Sequence, residues 1–189
     1  GRGEIDQEFY SLMPAFQEQA AEHPHGWGFG WYDGESARAH KDASSAFRNP
    51  AFLTEARKVR SKVIIAHIRK TVPESIGLEN THPFLQGQWL FGHNGTVDIK
   101  DVIRDRLPPP EQERLKRSID SEIFFHWILL NIREEADVQK GIRAAIEFVK
   151  KNRGEGTTAL NFVLTDGRRL YGYRGAFKKE DHYSLHYLV

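Results

Sequence analysis

The stretch His25-Gly26-Trp27-Gly28-Phe29-Gly30-Trp31-Tyr32-Asp33-Gly34 carries the clearest structural signal in this chain. Glycines and aromatic residues alternate along it, and a period of two is typical of a β-strand. The Asp33-Gly34 pair at its end predicts a hairpin turn, with residues 37–41 as the returning strand. Because the glycine side of such a strand carries no side chains, another backbone or a ligand can approach it closely.

Outward from this strand, the chain places strands towards both ends and helices between them. Leu12, Phe16 and Ala20 recur at helical spacing and predict a helix over 9–21. Asn49-Pro50 predicts the start of a helix that runs to about residue 60. Residues 62–68 are rich in Val and Ile and predict a buried strand.

The second half of the chain is predicted in the same way. Residues 70–87 are expected to form a loop, and residues 89–93 a strand that ends in an Asn94-Gly95 turn. Helices are expected over 99–107, 111–117, 122–133 and 137–151, with Ser118 to Ser121 capping the third, and a hairpin over 157–165 and 168–174. Strands that flank a helical block indicate an α+β fold rather than a doubly wound one.

Composition excludes several classes of function. The 189 residues suffice for one domain, and 27 basic against 26 acidic side chains give no support for nucleic-acid binding. No apolar run approaches the ~20 residues of a membrane span, and no signal peptide is recognisable, so a cytoplasmic protein is expected. The sequence has no glycine-rich phosphate loop, so we predict no nucleotide cofactor. His23-Pro24-His25 and the pair His182 and His186 lack the carboxylate or cysteine neighbours of a recognised metal site, so we predict no metal.

Two short segments carry residues suited to attack on an amide carbonyl. Arg69 follows a buried strand in Ala66-His67-Ile68-Arg69, where its guanidinium can hold a carboxylate or form a structural ion pair. Gly92-His93-Asn94-Gly95 is either a plain hairpin turn or a pair of donors, the Asn94 amide and the Gly95 N–H, for a developing oxyanion. A metal nuclease built on His93-Asn94 is disfavoured by the charge balance and the lack of metal ligands.

Two further residues have both a structural and a functional interpretation. Asp120 stands where a helix is expected to begin, so it either caps that helix or binds a substrate ammonium group. His82, within Glu79-Asn80-Thr81-His82-Pro83-Phe84, is either part of a pocket wall or a hydrogen-bonded loop residue.

In this order, these segments resemble the class II glutamine amidotransferases, particularly short members with a Gly-Trp-Gly strand. The likeness also includes Asp120-Ser121-Glu122 and Leu164-Thr165-Asp166-Gly167. It implies the N-terminal-nucleophile hydrolase fold, a four-layer αββα sandwich with two antiparallel sheets between helical layers. It also implies a reaction in which an N-terminal cysteine attacks the glutamine side-chain amide, forms a thioester and releases ammonia.

The resemblance implies a role for each matching residue. Arg69 would bind the substrate carboxylate and Asp120 its ammonium group. Asn94 and Gly95 would stabilise the oxyanion, and His82 would belong to the pocket loop. Gly26 and Trp27 would line the pocket floor. The substrate would be glutamine or a γ-glutamyl amide, and the ammonia would pass to a synthase or be released.

The chain departs from the family pattern at three places. It contains no cysteine, His25 stands where relatives have Asp, and Val72 stands where many have Thr. Two hypotheses follow. Either residues 1–189 form a single domain that lacks its nucleophile strand and its C-terminal strands, or the chain is a catalytically silent relative that binds a glutamine-like ligand.

Overall fold

Two antiparallel sheets and six α-helices form the fold in a computed structural model that describes residues 2–116, 119–178 and 180, with side chains from residue 8. The helices are α1 (Arg2–Glu18), α2 (Pro50–Ala56), α3 (Lys100–Arg104), α4 (Pro109–Gln112), α5 (Asp120–Glu135) and α6 (Val138–Asn152). The strands are β1 (Trp27–Asp33), β2 (Ser36–Asp42), β3 (Ile64–Ile68), β4 (Phe84–Gln86), β5 (Trp89–Thr96), β6 (Ala159–Thr165) and β7 (Leu170–Tyr173). The sheets have the orders β2-β1-β3 and β4-β5-β6-β7, which confirms the predicted α+β class.

The chain divides into two compact units, of which the first holds the residues up to Gly92 together with Val163–Tyr171. In this unit β1 pairs with β2 and β3 on either side, with Trp27 opposite Ile68. The alternation along β1 buries Trp27 and Phe29 in a core that includes Phe52 of α2. Helix α2 begins as predicted, because the Asn49 side chain accepts a hydrogen bond from the N–H of Ala51.

The opposite, glycine face of β1 is where other parts of the first unit approach most closely. A Cβ atom added at Gly28 would lie 2.3 Å from the carbonyl oxygen of His82, and one at Gly30 would lie 2.8 Å from Pro83. The absence of side chains on this face therefore admits the 82–83 segment. This confirms the close approach that the sequence pattern predicts.

The second unit holds His93–Phe162 and the described residues from Gly172 onward. Helix α5 is buried over most of its length, from Ser121 to Asn131. It ends at Glu135, the next residue Ala136 has the left-handed conformation, and the Asp137 side chain then caps α6 by accepting the Lys140 N–H. Strand β5 passes from the first unit into the second, so the two residues predicted to bind an oxyanion belong to the second unit.

Several predicted boundaries are wrong. Asn94-Gly95 is not a turn, because β5 continues to Thr96, whose carbonyl accepts the Thr158 N–H. Helix α2 ends at Ala56, and α4 begins at Pro109 and ends at Gln112 rather than covering 111–117. Strand β4 lies in the predicted loop. Helix α5 begins at Asp120 after Ile119, which provides no side-chain cap, while Ser118 lies outside the described residues.

Within the described residues, no helix combines the length and the apolar character that a membrane span requires.

Candidate active site

Arg69 extends the pairing of β3 with β1 by one residue beyond the strand. Its N–H donates to the carbonyl of Gly26 (2.8 Å), and its own carbonyl accepts the N–H of His25 (3.0 Å). The side chain is only 6% exposed, and its Nη1 donates to the carbonyl of Ser75 (2.9 Å). A guanidinium carries five N–H donors in a planar fork, a geometry that matches the two oxygens of a carboxylate.

The Ser75 carbonyl also joins Arg69 to the loop that contains His82. It accepts a second hydrogen bond, from Nδ2 of the buried Asn80 (3.0 Å). Gly26 lies near the same loop, because a Cβ added there would come within 2.8 Å of Thr81 Oγ1. At φ +127° Gly26 has a backbone conformation that L residues rarely adopt. The first unit thus brings together Arg69, Gly26 and the segment that begins at Asn80.

The His82 ring packs between two other rings of the first unit. Its imidazole is 4% exposed, stacks on that of His67 with centroids 4.3 Å apart, and meets Phe84 edge-on at 4.6 Å. The predicted role of His82 in the substrate pocket stays a prediction.

The side chain of Trp27 belongs to the hydrophobic core of the first unit. It is fully buried and contacts the rings of Phe29, Phe52 and His40. The structure therefore places the Trp27 ring in the core, and its predicted role in the pocket floor stays a prediction.

Asn94 and Gly95 lie side by side near the end of β5 and differ in their surroundings. The Asn94 side chain is exposed, whereas Gly95 lies against the start of β6. A Cβ added at Gly95 would be 2.0 Å from the carbonyl oxygen of Ala159, and its φ of +153° also favours glycine. Position 95 is therefore restricted to glycine by contact and by backbone conformation.

Asp120, the first residue of α5, is tied to the segment that follows Gly95. Its Oδ2 accepts the N–H of Val97 (2.8 Å), and its Oδ1 accepts the N–H of Ser121 (2.8 Å). A carboxylate offers about four lone-pair sites, so two remain for a ligand. In the second unit, the bond from the Val97 N–H thus links Asp120 to the segment that follows Asn94 and Gly95.

His93 and Ser121 complete this network, although the resemblance to the amidotransferases implies no role for either residue. The His93 ring is 3% exposed, with Nδ1 2.9 Å from Ser121 Oγ and Nε2 3.3 Å from the carbonyl oxygen of Ala159. Burial lowers the pKa of His93 below its ordinary value, against the opposing effects of the nearby Asp120 charge and the Ala159 carbonyl. The signal that could have identified His93 is strand alternation, which turns it inward beside the exposed Asn94.

No three histidine, aspartate or glutamate side chains lie close enough to hold a metal ion in the parts of the chain that the structure describes. His25 instead accepts the N–H of Thr71 at its Nδ1 (2.9 Å). His182 and His186 lie outside the described residues.

Comparison with known proteins gives matches over most of the chain. A family model described as class-II glutamine amidotransferases matches residues 6–189. The YafJ protein of Escherichia coli (strain K12) is 31% identical over 162 residues, which are 80% of this chain and 60% of that protein. A gamma-glutamyl-hercynylcysteine sulfoxide hydrolase of Mycobacterium tuberculosis (strain CDC 1551 / Oshkosh) is 36% identical over 89 residues, which are 47% of this chain and 38% of that protein. The chain spans about half the length of the curated relatives that it matches.

Solved structures share the fold at lower identity. A glutamine aminotransferase class-II domain protein from Silicibacter pomeroyi superposes with a TM-score of 0.64 at 23% identity, covering 82% of this chain and 70% of that one. The glutamine phosphoribosylpyrophosphate amidotransferase of B. subtilis gives a TM-score of 0.65 at 21% identity, covering 92% of this chain and 35% of that one.

Proposed function

Because this chain belongs to the class II glutamine amidotransferases, we propose that the protein containing it hydrolyses the side-chain amide of glutamine or a related γ-glutamyl amide. The observation that carries the proposal is the buried guanidinium of Arg69 at the end of β3. The carboxylate of an amino-acid substrate fits the two-pronged geometry of a guanidinium at this position.

The hydrogen-bond donors of the second unit support the remainder of the reaction. The exposed amide of Asn94 and the N–H of Gly95 are adjacent, and such neutral donors stabilise the oxyanion that forms when an amide carbonyl is attacked. Asp120, with lone pairs left after its two backbone hydrogen bonds, would bind the substrate ammonium group.

The covalent chemistry requires a cysteine, and the 189 residues contain none. We propose that the full-length protein supplies an N-terminal cysteine whose α-amino group takes the thiol proton. The thiolate would attack the amide carbon of the substrate. The protonated α-amino group of the cysteine would then give its proton to the amide nitrogen, the C–N bond would break, and ammonia would leave. Water would then cleave the thioester to give a γ-carboxylate and restore the thiol.

The relatives support two substrate classes within this proposal. One relative is named for hydrolysis of a γ-glutamyl compound rather than for transfer of ammonia. A γ-glutamyl amide presents the same carboxylate and ammonium groups as glutamine, so Arg69 and Asp120 would recognise either. Transfer of ammonia to a synthase, release of ammonia, and a cytoplasmic location stay predictions.

The test measures glutamate release from L-glutamine and from a γ-glutamyl anilide by the purified full-length protein. We expect Arg69→Ala to raise KM about 100-fold or more, because a buried charged contact is lost. Asn94→Ala should lower kcat about 10²–10³-fold, as expected for one oxyanion donor. Arg38→Ala is the matched control, because Arg38 is exposed and its contact with Asp33 is 3.9 Å long.

Two results separate the alternatives. If no glutamate is released but calorimetry detects binding of L-glutamate that Arg69→Ala abolishes, the protein is the catalytically silent relative. If Arg69→Ala and Asn94→Ala behave like Arg38→Ala in both assays, the assignment of the site is wrong.

A further inference from the structure

We propose that His93 and Ser121 are positioning residues, which hold Asn94 and Gly95 in a fixed relation to Asp120 through a single imidazole tautomer. This inference rests on the proposed function, because it concerns how the same site is kept in order. Neither side chain is expected to contact the substrate.

The contacts of His93 reach the surroundings of both proposed binding elements. On one side, Nε2 points at the Ala159 carbonyl oxygen (3.3 Å), the same atom that restricts position 95 to glycine. On the other side, Nδ1 meets the hydroxyl of Ser121 (2.9 Å), the neighbour of Asp120. The ring therefore connects the β5–β6 pairing beside Gly95 to the first turn of α5.

The partners of the ring determine where its proton lies. A carbonyl oxygen can only accept a hydrogen bond, so Nε2 carries the hydrogen. In the buried, neutral ring Nδ1 is then an acceptor, and Ser121 Oγ must donate to it. The Ser121 hydroxyl has one hydrogen, and this bond uses it. The 3.5 Å approach of Ser121 Oγ to Asp120 Oδ1 is therefore not a donated hydrogen bond.

The consequence is that, among the described residues, backbone N–H groups are the donors that orient Asp120. Its two oxygens accept from Val97 and Ser121, so one of its partners lies two residues after Gly95. Movement of α5 relative to β5 would therefore displace the carboxylate and the oxyanion donors relative to each other. A displacement of about 1 Å is enough to reduce catalysis by roughly 10²-fold.

The kinetic test compares Ser121→Ala with Ser61→Ala in the full-length protein. Both changes remove one hydroxyl that takes part in hydrogen bonds, but Ser61 contacts the backbone of Tyr32 and Val63, away from the proposed site. We expect Ser121→Ala to lower kcat about 10-fold or more, with a smaller change in KM, and Ser121→Thr to restore most of the loss. Equal kcat values for Ser121→Ala and Ser61→Ala would overturn the inference.

The spectroscopic test reads the tautomer directly and does not need activity. Long-range ¹H–¹⁵N correlation spectra, with His93 assigned by comparison with His93→Gln, should show a protonated Nε2 and an unprotonated Nδ1 at neutral pH. A ring protonated at Nδ1 overturns the inference even if the enzyme is active. If the wild-type protein releases no glutamate from any substrate, the proposed function has failed, while the spectrum still decides whether this ring joins the two elements as described.

Discussion

Replacing Gly95 by alanine should strongly destabilise the second unit. The new Cβ would lie 2.0 Å from the Ala159 oxygen and 2.6 Å from its carbonyl carbon. Because Cβ atoms essentially never come closer than 3.0 Å to another heavy atom, β5 and β6 would have to separate by about 1 Å. The substitution also forces a side chain into a positive φ of +153°.

The expected loss can be worked out from the contacts involved. Overpacking costs about 1–3 kcal/mol and an unfavourable positive φ about 1–2 kcal/mol. The separation would also lengthen the His93 bond to the Ala159 carbonyl, already 3.3 Å long, whose net value is about 1 kcal/mol. We therefore expect a fall of about 3–6 kcal/mol in the free energy of unfolding, a large part of the 5–15 kcal/mol that is typical of a domain.

Gly92→Ala is the matched control on the same strand. A Cβ at Gly92 would lie 3.3 Å from Ile65 Cγ2 and 3.5 Å from Val163 Cγ2, so the nearer methyl group would have to move by only a few tenths of an ångström. Its effect should stay within about 1 kcal/mol of wild type. Urea unfolding of the full-length protein, followed by tryptophan fluorescence, measures both variants. Equal stability of Gly95→Ala and Gly92→Ala within about 1 kcal/mol would refute the packing argument.

Two further predictions concern buried titratable groups. Burial raises the pKa of Tyr32 from 10.0 to about 12, so its contribution to stability is fully present below pH 10 and is lost as the pH rises towards 12. Tyr32→Phe should remove this alkaline dependence, and an ultraviolet absorbance titration that shows Tyr32 ionising near pH 10 would contradict the prediction. Glu111→Gln should destabilise by about 2–3 kcal/mol, because the buried carboxylate accepts bonds from His126, Arg114 and Arg133. In thermal unfolding, Glu113→Gln at an exposed position should change the free energy of unfolding by no more than about 0.5 kcal/mol. A similarly small effect of Glu111→Gln would contradict the contribution assigned to the buried carboxylate.

The parts of the fold that local sequence could predict are those in which one signal dominates. The alternation along β1 is unopposed, and both its hairpin and the close approach to its glycine face are as predicted. The predicted helices leave a gap at Pro108-Pro109-Pro110, yet proline is tolerated in the first turn of a helix, and α4 begins at Pro109. Strand β4 has only three residues and depends on its partner β5, which no local pattern reveals.

For the candidate site, residue types could be predicted but their partners could not. The position of Arg69 at a strand end is confirmed, while its contact with the Ser75 carbonyl, six residues later, depends on how the loop after β3 folds back. Asp120 was weighed as a helix cap or a ligand. The structure adds a contact that neither alternative includes, because Asp120 accepts a hydrogen bond from Val97, which lies 23 residues earlier in the chain. Such long-range contacts are set by the packing of whole elements and leave no trace in spacing.

The His-Asn-Gly segment shows how one strand can combine anchoring and recognition. In an extended strand successive side chains point to opposite faces, so a buried His93 and an exposed Asn94 follow from continuing β5 through this segment. A turn at this point would not impose that alternation, and the Thr96 carbonyl would lose its bond to Thr158. Gly95 then permits the Ala159 carbonyl to approach until it can accept from His93. We infer that each of the three residue types is required for a different reason. The imidazole makes hydrogen bonds inside the protein, the amide faces outward, and the glycine allows the neighbouring strand β6 to approach closely.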